Sequence, residues 1–205
     1  LHDRTTEVLG ALYDMHWPFR QMETARGVRK SPLHDRLLKA GACFGESAGW
    51  ERANWYAPEG VKAQYEYTYG RQNWFEHSAA EHAAVREGVG IFDQTSFSKF
   101  LIQGPDAARV LNTICANNVD VAVGKAVYTQ WLNSRGTIEA DLTVTRLALG
   151  KFMVITAGVT HTQVEAWFEA NTPGEAFVTL TDVTSGTSTI NIQGPLSRAL
   201  LTKAS

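Results

Sequence analysis

The chain of 205 residues sets 19 Lys and Arg against 21 Asp and Glu, a net charge of −2, with 44% hydrophobic and 20% charged residues. That is the composition of an ordinary folded soluble domain. It excludes a long-range field that would recruit nucleic acid or an anionic membrane, and no apolar run approaches the ~18 residues of a membrane-spanning helix.

Residues 1–70 are rich in Gly, Arg and aromatics. The start, LHDRTTEVLG, has neither Met nor a signal pattern, and the end, LSRALLTKAS, stops inside a helical pattern, so a cut from a longer chain is expected. The stretch SPLHDRLLKAGACF predicts a helix with Ser31 as N-cap, Pro32 at the first position, Leu33, Leu37 and Leu38 on the apolar face and Gly41 as the stop. GWERANWYAPEG crowds Trp50, Trp55 and Tyr56 and is expected to form an irregular docking surface. Residues 58–70 read as a connector.

The second part, 71–205, begins with a helix over 76–87 that Gly88 stops. A strand over 97–104 follows. Pro105 and Asp106 then open a helix whose apolar set is Ala107, Val110, Leu111 and Ile114 and which stops at Asn117–Asn118. Three strands, 125–133, 137–147 and 152–158, are separated by turns. A helix over 161–171 and strands over 176–184 and 187–194 complete the order. Gln103–Gly104–Pro105 and Gln193–Gly194–Pro195 stand in matching strand-turn-helix flanks, which points to a duplicated unit and an α+β fold with an antiparallel sheet. Cys43 and Cys115 are too few for a disulfide framework and read as buried thiols in a reducing compartment, cytoplasmic or the mitochondrial matrix. His77 and His82 miss the helical spacing that stacks two ligands, and no metal site is expected.

Asp141 is the conspicuous residue, because strand interiors disfavour Asp. Strand side chains alternate faces, so Ile138, Ala140, Leu142 and Val144 form the core face, and Glu139, Asp141 and Thr143 the polar one. With hairpin loops at 133–136 and 148–151, position 128 lies opposite 141 and position 156 opposite 143. Tyr128, Asp141, Thr143 and Thr156 would then share one face, unless the register slips by one residue. Two readings stay open: a solvated sheet face, or a lined pocket whose carboxylate hydrogen-bonds or exchanges a proton beside a tyrosine. No phosphate-cradling loop, nucleophile elbow or metal-ligand cluster competes with them.

GIFDQTSFSKFLIQGPDAARVLN, VGKAVYTQWLNSRGTIEADLTVTRL and INIQGP resemble the aminomethyltransferase family, the T-protein of the glycine cleavage system and its relatives. HWPF, SPLHDRLLKAG and GWERANWYAP resemble the segment before the folate domain of dimethylglycine and sarcosine dehydrogenases. The resemblance implies that residues 1–70 end a dehydrogenase central or linker region and 71–205 begin a folate-binding domain. It implies tetrahydrofolate as acceptor of a one-carbon unit, captured from an oxidised N-methyl amine as 5,10-methylenetetrahydrofolate. FAD is implied only in an upstream domain, the intramolecular partner, because its fingerprint is absent here.

Carried over by position, Asp141 in DLTV falls on the family's catalytic Asp, with Ala140 where many members have a second acid. Tyr128 in GKAVYT falls on a pocket tyrosine, Phe97 on a residue that touches the pterin, and Thr156 in MVIT on an Asn. Thr143 adjoins them on the polar face. Asp93 and Thr95 fall on a motif whose Asp reads as structural. The family's pterin-anchoring Glu and tail arginines lie beyond the second Gln-Gly-Pro, so these residues alone are expected to have little activity. Two alternatives remain: a non-catalytic scaffold packing on an FAD domain through Trp50–Tyr56, and a T-protein relative with another carbon donor.

Overall fold

In a computed structural model that describes residues 2–204, the elements in chain order are α1 (His2–Ala11), α2 (His34–Lys39), β1 (Ala42–Ser47), β2 (Trp50–Tyr56), α3 (Phe75–Glu87), β3 (Gly90–Asp93), β4 (Ser98–Gln103), α4 (Ala107–Ile114), β5 (Ala126–Leu132), β6 (Ile138–Ala148), β7 (Lys151–Thr156), α5 (His161–Ala170), β8 (Thr179–Asp182), β9 (Ile190–Gln193) and α6 (Ser197–Ala204). They fall into two units: residues 95–188, and residues up to 94 together with those from 189 onward. The expected α+β class with antiparallel pairing holds in both. Among the described residues no helix is long and apolar enough to cross a membrane.

The unit of residues 95–188 is built on one five-stranded sheet in the order β5-β6-β7-β4-β8. Its core face carries Phe100, Ile102, Leu142, Val144, Phe152 and Val154, packed against Val110 and Leu111 of α4 and Val164 and Phe168 of α5. The apolar set expected for α4, Ala107, Val110, Leu111 and Ile114, is buried in full. That helix begins two residues after Pro105 and stops at Cys115 rather than at Asn117, because Cys115 turns into extended backbone and bridges to Trp131 of β5.

Both Gln-Gly-Pro turns adopt one geometry. Gly104 (φ +143°) links β4 to α4, and Gly194 (φ +117°) links β9 to α6. A Cβ at Gly104 would lie 2.1 Å from the Phe177 carbonyl oxygen. Gly104→Ala is therefore expected to destabilise this unit by roughly 3 kcal/mol, the sum of left-handed strain and overpacking. Equilibrium urea unfolding measures it.

In the other unit β1 and β2 form a hairpin, and β3 pairs antiparallel with β9. Sequence periodicity missed β1, β2 and β3. The aromatic run Trp50–Tyr56 is a buried strand and not a docking surface: Trp50 is 6% and Trp55 1% exposed. Trp55 packs with Cys43 and Ala57 and stacks on His77 at 5.5 Å between ring centroids. Helix α2 starts at His34, later than expected, because the Ser31 hydroxyl oxygen accepts from the Leu33 N–H (3.2 Å) while its proton goes to Asp93. Gly41 (φ +88°) ends that helix as expected.

Candidate functional site

The second face of the five-stranded sheet carries the polar residues. Strand register places Tyr128 opposite Thr143, Thr143 opposite Ile155 and Ile155 opposite Lys99, one row across β5, β6, β7 and β4. Asp141 stands opposite Gln130, diagonal to Tyr128. Diagonal neighbours on one sheet face lie within reach of long side chains. The Asp141 carboxylate across this diagonal, as a hydrogen-bond acceptor and a negative charge, raises the Tyr128 pKa above the usual phenol range. Tyr128 and Asp141 are both exposed, and Thr143 is half-buried between strands.

Tyr128, Asp141 and Thr143 thus share a face, though Tyr128 pairs with Thr143 and not with Asp141. Thr156 does not join them. It pairs with Leu142 and Ser98, lies on the core side and is 3% exposed. Its hydroxyl donates to the Asp141 backbone carbonyl at 2.7 Å, so it fixes the main chain beneath the carboxylate instead of presenting a group to a ligand. Phe97 is half-buried in the turn before β4, and β4 lies two strands from β6, a separation of roughly 10 Å.

Two residues escaped the sequence reading. Gln130 has the same strand parity as Tyr128 and faces Asp141 directly. Lys99 is 1% exposed, and its Nζ donates to the carbonyls of Thr95 (2.8 Å) and Phe97 (2.7 Å), which ties down the turn that carries Phe97. A lysine inside an otherwise apolar strand was the available signal.

A Ser–His–acid arrangement sits elsewhere in the unit: the Ser98 hydroxyl is 2.9 Å from His161 Nδ1, and His161 Nε2 is 3.5 Å from Glu165 and 3.7 Å from Asp182. Ser98 is 1% exposed, so no substrate reaches it as a nucleophile. Clefts of about 600 Å³ beside α5 and β8 and about 560 Å³ beside Gly104 and Gly150 are lined by residues other than Tyr128 and Asp141. The Tyr128–Asp141 face is an open sheet surface able to accept hydrogen bonds from an amine or hold a proton near it. Spectrophotometric titration checks the pair: the phenol missing from Tyr128→Phe should titrate above the usual ~10, and Asp141→Asn should bring it back toward that value.

The profile of the GCVT N-terminal domain matches residues 33–205, and that of the FAD dependent oxidoreductase central domain matches residues 1–31. The whole chain is 49% identical to 4-methylaminobutanoate oxidase (formaldehyde-forming) of Paenarthrobacter nicotinovorans, covering 25% of that protein. It is 31% identical over 169 residues to mitochondrial dimethylglycine dehydrogenase of Rattus norvegicus, covering 82% of this chain and 20% of the other. The crystal structure of glycine cleavage system aminomethyltransferase T from Bartonella henselae superposes with a TM-score of 0.71 at 25% identity, over 87% of this chain and 44% of that one. The chain spans about a quarter or less of the length of these curated relatives.

Proposed function

This chain belongs to the GCVT N-terminal domain family, and from that premise we propose that it forms part of the tetrahydrofolate site of an FAD-dependent N-methyl amine oxidoreductase. The observation that carries the reading is the Tyr128–Asp141 pair on the open sheet face. Dimethylglycine, sarcosine and 4-methylaminobutanoate all belong to the substrate class. Tetrahydrofolate, when bound, supplies the amines that accept the one-carbon unit.

The residues present fit such a group. Asp141 is acceptor-only when ionised and suits an amine N–H. Gln130 faces Asp141 from the neighbouring strand with Tyr128 on the diagonal, and Thr143 adds a hydroxyl to the same face. With that group bound, Asp141 would accept a proton from one of the group's amine nitrogens, the task of a positioned general base. Phe97, on the turn that Lys99 fastens, supplies an apolar surface for a flat ring.

Calorimetric titration of the gene-encoded polypeptide with tetrahydrofolate tests the reading. Asp141→Ala should weaken binding by about tenfold or more, the loss of one hydrogen bond to a charged group. Unchanged binding would return Asp141 to a solvated sheet face. No binding to the wild type would make the unit a scaffold.

The 49% identity to a formaldehyde-forming oxidase favours a second reading, in which the carbon leaves as free formaldehyde. Formaldehyde release that is the same with and without tetrahydrofolate would select it.

A further inference from the structure

Helix α1 rests on its unit by its polar side. Arg4 donates from Nη1 to Glu46 (2.8 Å) and from Nε to the Thr24 carbonyl (3.2 Å). Glu7 accepts from the backbone N–H groups of Glu23 (2.6 Å) and Thr24 (2.9 Å) and from the Thr24 hydroxyl. Arg4, Glu7 and Ala11 are the half-buried positions of this stretch, at helical spacing. The apolar residues point the other way: Val8, Leu9 and Leu12 are 43%, 57% and 64% exposed. The chain beyond also exposes apolar side chains, with Tyr13 at 94%, Met15 at 52% and Phe19, which meets Trp74 edge-on, at 58%.

A surface helix normally turns its apolar stripe toward the core. Here the amphipathicity is inverted, and six large apolar side chains within a dozen residues exceed the scattered exposure of an ordinary surface. The segment that follows is held by charge as well: Arg26 Nε (2.8 Å) and the Gly27 N–H (2.7 Å) both donate to Glu51. Residues 2–31 thus contain no core of their own. They coincide with the match to the FAD dependent oxidoreductase central domain at residues 1–31, a length below the roughly 40 residues that fold unaided. An apolar stripe turned outward on so short a stretch needs other residues to cover it.

We propose that the outward face of α1, continued by Tyr13, Met15 and Phe19, is the docking surface for the rest of that oxidoreductase central domain, carried on the same polypeptide. The inference rests on the reading of the chain as part of an amine oxidoreductase. It moves the inter-domain contact from the buried Trp50–Tyr56 strand to residues 8–19.

The gene-encoded polypeptide tests it by maleimide labelling. The native thiols, Cys43 and Cys115, are buried. Leu9→Cys and Leu12→Cys are expected to be protected, while Ser134→Cys, in the exposed turn between β5 and β6, labels freely. Labelling of both helix variants at the Ser134→Cys rate would overturn the proposal. A photo-reactive benzoylphenylalanine in place of Tyr13 identifies the cover. Cross-links to upstream residues of the same polypeptide support the proposal. Cross-links to a second copy, protection that depends on protein concentration, or a gene with no central domain upstream each overturn it. Folate binding is not involved in these readouts, so failure here and failure of the tetrahydrofolate reading leave different signatures.

Discussion

Asp141→Asn is expected to reduce folate-dependent product formation by the gene-encoded polypeptide about 10²- to 10⁴-fold, the range for loss of a positioned acid–base group, and to leave oxidation of the amine unchanged. The substitution is nearly isosteric. The β6 main chain at this position is held from below by the Thr156 hydroxyl on the Asp141 carbonyl, independently of the carboxylate. The variant therefore keeps its fold and loses only charge and basicity. An amide cannot accept the proton released as an amine nitrogen forms a bond to carbon. Flavin reduction by the amine, followed by absorbance, reports the oxidative half, and product formed in the presence of tetrahydrofolate reports the other. Equal loss of both would show that Asp141 supports the structure as a whole.

Trp131→Ala should cost about 3–5 kcal/mol, the range for removing a buried large aromatic. Trp131 is 0% exposed and belongs to the hydrophobic core of the five-stranded unit, although β5 is an edge strand. Its ring lies 6.3 Å from that of Phe168, and its Nε1–H donates to the Cys115 Sγ at 3.2 Å. Burial in the same place pushes the Cys115 thiol up to about 11. Truncation leaves a void beneath β5, the strand that carries Tyr128, and removes the indole hydrogen bond to Cys115 at the end of α4. A loss of that size is a large part of a domain's ~5–15 kcal/mol. Urea unfolding followed by circular dichroism measures it. A loss under about 1 kcal/mol would mean that the site collapses around the void.

Local pattern determined much of this protein. The period-two alternation at Ala140, Leu142 and Val144 and the helical spacing of Ala107, Val110, Leu111 and Ile114 assigned core faces that the structure keeps, whereas Ile138, expected on the same core face, is 64% exposed, beyond the bulge between Trp131 and Leu132. Each side chain there follows from its own strand or helix geometry. Tyr128, Asp141 and Thr143 were brought to one face for the same reason, although the β5–β6 pairing is two residues away from the one that a four-residue loop implies. A slip of two preserves the face.

Tertiary structure decided the remainder. The expected pairing of β6 with β7 holds at Ala148 and Lys151, but a bulge between Arg146 and Ala148 shifts the ladder by one residue. That single step moves Thr156 from the ligand-facing side to the core side, beside Leu142. A bulge leaves no reliable mark on alternation, because the extra residue is accommodated by backbone dihedrals and not by residue type. The burial of Trp50 and Trp55, the pairing of β3 with β9 across nearly half of the chain, and the inverted face of α1 were equally illegible. Composition tells that aromatic and apolar residues seek cover; only the folded chain decides which of them find it within these residues.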